Sequence, residues 1–104
     1  MEIKQEIREK KLLLSLSGNL DTRTAPKLEK VISENYIKIN ELILDFKDLN
    51  YISSAGLRIL LVSKKKLFSV NGDVYIENAS YTVREILKIT GFNTLFEINT
   101  GRKF

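Results

Sequence analysis

The 104-residue chain contains no cysteine and no histidine. The first absence excludes disulfides and thiolate chemistry; the second removes the usual general base, the commonest zinc ligand and any histidine phosphorelay. A serine hydrolase built on Ser53 or Ser54 is poorly supplied for the same reason, because no histidine is present to activate the hydroxyl. Long apolar runs are also missing. The longest nearly apolar stretch, "LRILLV", is far short of the roughly 20 residues of a membrane span, and residues 1–10 are too charged for a signal peptide. The expectation is a cytoplasmic protein without membrane insertion. No Pro/Gly-rich linker, repeat or low-complexity segment interrupts the chain, and its length suits one domain, residues 1–104.

What is present is ordinary for a soluble globular protein: 43% hydrophobic and 29% charged residues. The formal charge of +4 comes from cations spread along the chain. Their one cluster, Lys64-Lys65-Lys66, falls late in a helical stretch, where it reads as a solvated face with favourable charge near a helix C-terminus and not as a nucleic-acid site.

"EIKQEI" and "KLLLSLSG" read as two strands paired in a hairpin, the second with Leu12, Leu14 and Leu16 on one face. A first helix follows: Asp21, Thr22 and Thr24 offer caps, the single proline, Pro26, suits the first turn, and Leu28, Ile32 and Tyr36 recur at helical spacing. "ELILDF", with Leu42, Ile43 and Leu44 unbroken, predicts a central strand buried on both faces. A second helix spans about Ser54 to Ser69 with an apolar stripe of Leu57, Leu60, Leu61 and Phe68, stopped by Asn71 or Gly72. "DVYIE" is a further strand. Ser80 caps a third helix with Val83, Ile86 and Leu87 on one face; Gly91 takes its C′ position and Phe92 folds back onto it. "TLFEI" is the last strand. The whole predicts an α/β fold: a mixed β-sheet with an N-terminal hairpin and parallel strand-helix-strand units, with right-handed crossovers and helices packed on the sheet.

In such a sheet the loops at the carboxyl ends of parallel strands are the usual functional edge. "NYISSAG" lies there. With Ser53 as N-cap, Ser54 and Gly56 fall in the first helical turn, where N–H groups are free and the macrodipole favours an anion. A phosphate on Ser54 is welcome in that setting; Arg58, four residues on, is placed to pair with it, and the bare Gly56 is expected to let a partner backbone or phosphoryl donor approach. Helix capping accounts for the same serines without any further role.

The segment "LILDFKDLNYISSAGLRILL", with "LSGNLDTRTAPKLEK" upstream and "GDVYIENASYTVREILKITGF" downstream, resembles STAS domains of the anti-sigma factor antagonist family over nearly the whole chain. The family's G-x-L-D element appears as Gly18-Asn19-Leu20-Asp21, and its Asp-Ser-Ser/Thr-Gly motif as Ser53-Ser54-Ala55-Gly56. The resemblance implies a non-enzymatic binding module without cofactor or metal. By it, Ser54 stands at the position phosphorylated by a partner serine kinase that is itself an anti-sigma factor. By the same resemblance Asp21 lies on the loop that helps to form the partner-binding surface, which is expected to take in Ser53, Ser54, Gly56 and Arg58 as well. The unphosphorylated form binds the kinase and frees the sigma factor, phosphorylation ends that binding, and a serine phosphatase would reset it.

Ser53 replaces the acid that usually precedes the acceptor, which makes Ser53 a lesser candidate for the phosphate. It also keeps open a second expectation, a non-switching STAS interaction subunit of a larger signalling or transport assembly. Asp45, at the end of "LILDF", resembles the phosphoacceptor of receiver domains, but that chemistry needs an acidic pair after the first strand, where this chain has Ser15, Ser17 and Asn19.

Overall fold

Alternating leucines make the second strand. In the computed structural model, which describes residues 1–102 and 104, Lys11–Leu20 forms β2, with Leu12, Leu14 and Leu16 turned to one face. β1 (Glu2–Arg8) pairs with it antiparallel, from Glu2 opposite Ser17 to Arg8 opposite Lys11. This is the predicted hairpin. The chain then runs through α1 (Ala25–Asn35), a 3₁₀ turn (Tyr36–Lys38), β3 (Glu41–Ile52), α2 (Ser54–Ser69), β4 (Asp73–Glu77), α3 (Tyr81–Ile89), a second 3₁₀ turn (Phe92–Thr94) and β5 (Glu97–Ile98).

The five strands lie in the order β1-β2-β3-β4-β5, and the β2–β3, β3–β4 and β4–β5 pairs are parallel. β3 is therefore the central strand, as its apolar run predicts. Each parallel crossover steps the same way across the sheet, so right-handed connections put all three helices on one face. The strand side chains facing them, Leu12, Leu14, Leu16, Leu42, Leu44, Phe46, Val74 and Ile76, are at most 1% exposed. Ile43 points to the other face and is also buried. Its neighbour in register is Tyr75, whose ring carries the Arg102 guanidinium at 3.7 Å while Arg102 also pairs with Glu41 at 2.7 Å. The C-terminal segment is held there too by Glu77, whose buried carboxylate accepts from the Gly101 N–H (3.0 Å), the Thr100 N–H (3.3 Å) and the Thr100 hydroxyl (3.2 Å).

Three expectations need correction. β3 does not end near Phe46 but continues to Ile52, so Asp45 sits within the strand, its Oδ1 accepting from the Lys47 N–H and the Asn78 side-chain amide. Polar "KDLNY" hides this continuation, and the pairing with β2 absorbs it through register shifts between Ser15 and Ser17 and between Gly18 and Asn19. β5 is shorter than "TLFEI": Thr94 belongs to the 3₁₀ turn, and Leu95 donates its N–H to the Phe92 carbonyl, while Phe96 stacks with Phe92 at 6.4 Å.

The third correction concerns the facing of α2. Its boundaries are those expected, from the Ser53 cap to Asn71 in the left-handed conformation. Of the expected stripe, Leu57 and Leu60 are buried, together with Gly56, Ile59, Ser63 and Leu67, whereas Leu61 is half-buried and Phe68 is 78% exposed. Two small residues on the buried side let the helix sit close to the sheet, and Ser63 hides its hydroxyl by donating to the Ile59 carbonyl at 2.7 Å.

Candidate functional site

Leu20 and Ile52 are the last residues of β2 and β3 and are paired in register. Parallel strands that end together deliver their following loops to one place, so residues 21–24 and 53–56 meet although they are some thirty positions apart. The Ser53 N–H donates to the Leu20 carbonyl at 2.9 Å, tying the start of α2 to the end of β2. Gly18, at φ +93°, provides the left-handed kink beside the second register shift that aims the end of β2.

Asp21 organises its loop before it offers anything outward. Its Oδ1 accepts from the N–H groups of Arg23 (3.0 Å) and Thr24 (3.2 Å) and from the Thr24 hydroxyl (3.2 Å), while its own N–H donates to Thr24 Oγ1 at 2.8 Å. The Thr24 hydroxyl also reaches the Asn19 carbonyl at 2.7 Å, and the Ala25 N–H closes onto the Asp21 carbonyl, so α1 starts from a reciprocally bonded turn. Desolvation pushes the Asp21 pKa up, but the hydrogen bonds from Arg23 and Thr24, with the Arg23 charge, outweigh it and hold the carboxyl below the ordinary aspartate value. It stands at the edge as a fixed anion. Beside it, Gly18, Asn19, Arg23 and Lys27 help to line an open cavity of about 380 Å³.

Ser53 is the N-cap of α2 in extended conformation, and its Oγ accepts from the Gly56 N–H at 3.4 Å. Ser54 is the first helical residue and is exposed; among the described residues its Oγ has no hydrogen-bond partner. The Gly56 and Leu57 N–H groups of the first turn are taken by Ser53, through its Oγ and its carbonyl. The division of labour is plain: Ser53 caps, and Ser54 is available. Arg58 is exposed one turn further on and makes no ion pair among the described residues.

Gly56 is where the expectation fails. It is buried, and a Cβ there would lie 2.8 Å from Leu20 Cγ, 2.8 Å from the Leu20 carbonyl oxygen and 2.9 Å from Ile52 Cγ2. The close approach it permits is internal, α2 against the strand ends, and not one by an outside group. Asp21, Ser53 and Ser54 are thus brought together, Arg58 stands next to them, and Gly56 lies underneath. A residue missed from sequence is Tyr51, half exposed at the same edge and paired in register with Asn19. The strand pattern gives no signal for it, because the buried residues of this half of β3, Phe46, Leu49 and Ile52, lie three apart where a regular strand repeats every two.

The STAS domain model matches residues 1–103. The chain belongs to the STAS domain family. Among its relatives, BtrV of Bordetella bronchiseptica, a protein named as an anti-sigma factor antagonist, is 33% identical over 93 residues, which cover 88% of this chain and 80% of that one. The anti-sigma-B factor antagonist of Staphylococcus aureus is 24% identical over 102 residues, covering 97% and 94%. The fold is shared with the anti-sigma factor antagonist SpoIIAA in its unphosphorylated form, with a TM-score of 0.84 at 22% identity over 96% of this chain and 90% of SpoIIAA. SpoIIAA is also known in its phosphorylated form, at a TM-score of 0.76. Among the described residues no helix is long and apolar enough to cross a membrane, and no three acidic side chains converge as a metal site would need.

Proposed function

We propose that this chain is an anti-sigma factor antagonist, a binding module without catalytic turnover, whose unphosphorylated form binds an anti-sigma factor that is also a serine kinase. Sigma factor is released by that binding, and phosphate on Ser54 ends it. The observation that carries the reading is the exposed, unengaged Ser54 hydroxyl at the first position of α2, on the edge where the Ser53 N–H bond to the Leu20 carbonyl joins the start of α2 to the strand end that leads into the Asp21 loop. The names of BtrV and of the staphylococcal relative support the antagonist role, and the two forms of SpoIIAA show that a protein of this fold carries phosphate.

Phosphate would add about −1.5 to −2 charges at a helix N-terminus, which accommodates anions, so the fold has little reason to change. At the centre of a protein contact the same dianion must be desolvated, and next to acidic partner groups it is repelled; several kcal/mol are lost, on the order of a thousandfold in affinity. Incubation with the cognate anti-sigma kinase and ATP, followed by site mapping by mass spectrometry, is expected to find one phosphate, on Ser54. Undiminished phosphate in Ser54→Ala moves the site to Ser53 or elsewhere.

One observation favours a second reading, that of a non-switching interaction subunit: the residue before Ser54 is a serine engaged in capping, so the position that usually carries an acid has none. Under that reading the kinase transfers no phosphate, and Ser54→Asp binds the assembly as wild type does.

A further inference from the structure

The apolar stripe expected in the core beneath α2 faces outward in part, and it lines up with the proposed switch. At 100° per residue, Ser54, Arg58, Leu61, Lys65 and Phe68 fall within an arc of about 80°, opposite the buried Gly56, Ile59, Leu60, Ser63 and Leu67. Fourteen steps of about 1.5 Å make this strip about 21 Å long. Phe68 at its far end is 78% exposed and Leu61 is partly exposed.

The charge along the strip has one sign. α2 carries Arg58, Lys64, Lys65 and Lys66 and no acidic residue. Lys64 is taken by Asp73 at 2.9 Å, and Lys66 lies over the Tyr36 ring at 5.2 Å. Arg58 and Lys65, the two on the strip, make no ion pair among the described residues. A solvated helix face needs cations but not an aromatic ring almost wholly in water; aromatics and arginine are what protein interfaces concentrate.

We infer that the solvent face of α2 from Arg58 to Phe68 is a docking strip, continuous with the Ser54 edge, for an element of the anti-sigma factor that is acidic with an apolar stripe. Charge complementarity selects the acid, to meet Arg58 and Lys65; Leu61 and Phe68 select the apolar residues between. Apolar positions two turns apart suit a protein partner better than a phosphate backbone, which would leave the phenyl ring without a contact. The inference rests on the antagonist reading and adds where, beyond Ser54, the partner is held.

The experiment is calorimetric titration of the cognate anti-sigma kinase, at low and high salt, into wild type, Ser54→Asp, Lys65→Glu, Phe68→Ser and Ile89→Ser. Ile89, 83% exposed on α3, controls for the loss of any exposed apolar side chain. Lys65→Glu and Phe68→Ser are each expected to weaken binding about tenfold, with unchanged melting curves and a smaller salt dependence for Lys65→Glu, while Ile89→Ser binds as wild type. Hydrogen exchange on the wild-type complex should show added protection over residues 58–69, a readout that needs no variant.

If both strip variants bind within twofold of wild type while Ser54→Asp does not bind, the strip is wrong and the antagonist reading stands. If they lose binding and Ser54→Asp does not, the strip stands and the switch falls. Equal weakening by Ile89→Ser, or absence of binding by wild type, overturns the strip in either case, as does Lys65-dependent binding of duplex DNA in place of the kinase.

Discussion

Replacing Gly56 by alanine sets two effects of opposite sign against each other, and the geometry decides between them. In an exposed helix interior the change stabilises by about 1 kcal/mol through helix propensity. Here the new methyl would stand 2.8 Å from Leu20 Cγ, 2.8 Å from the Leu20 carbonyl oxygen and 2.9 Å from Ile52 Cγ2. The leucine side chain can rotate, but the carbonyl is backbone at the end of β2 and already accepts from the Ser53 N–H at 2.9 Å. To make room, α2 must lift from the strand ends and stretch that bond. Overpacking of this kind costs about 1–3 kcal/mol, and a weakened buried hydrogen bond adds about 1 kcal/mol. Taking the propensity gain off leaves a net loss of about 2 kcal/mol. For a domain of this size that lowers Tm by about 10 °C. Thermal melts by circular dichroism, paired with urea unfolding at unchanged m, measure it; Gly56→Ala as stable as wild type, or more so, would show that α2 does not pack as closely as described.

Other substitutions test neighbouring parts. Glu77→Ala removes the acceptor for the Thr100 and Gly101 groups and should destabilise by about 1–3 kcal/mol in urea, with faster exchange at the Thr100 and Gly101 amides; wild-type exchange rates would mean the C-terminal segment is not anchored there. The Asp21 pKa is lowered in the folded protein, so the ionised carboxylate stabilises the fold at pH values above the ordinary aspartate range, and that contribution is lost as pH falls through the lowered folded value. Side-chain NMR should find Asp21 titrating below the ordinary aspartate value, and Asp21→Asn should flatten the acid limb of the stability profile. Ser53→Asp should fold with at least wild-type stability, because a carboxylate can cap α2 as the serine does and also favours the dipole, and it should raise the rate of Ser54 phosphorylation several-fold; a lower Tm or a slower rate goes against that.

How far the sequence carries the fold depends on whether the governing signal is local. The limits of α2 and β4 are legible because Ser53, Asn71 and the "DVYIE" run each act within a few residues. The far half of β3 is not, since "KDLNY" is polar and its pairing with β2 is set by register shifts that only the partner strand reveals. The facing of α2 is not legible either: two stripes compete, and the sheet takes the one with Gly56 and Ser63 because small residues allow the shorter approach. At the site, the serines are read from the strand-to-helix junction. The meeting of Asp21 with Ser53 comes only through the family motif, because it is made by β2 and β3 ending side by side. Gly56 was misread for the same reason, its neighbours Leu20 and Ile52 being distant or behind it in the chain.

The most direct measurement compares this protein, unphosphorylated and stoichiometrically phosphorylated on Ser54, in titrations against its cognate anti-sigma factor at one salt concentration, with backbone chemical shifts recorded for both forms. A local switch predicts a Kd raised on the order of a thousandfold, with shift changes confined to the neighbourhood of residues 19–24 and 51–58. A Kd changed by less than about threefold, or changes spread across the sheet and α3, would contradict it.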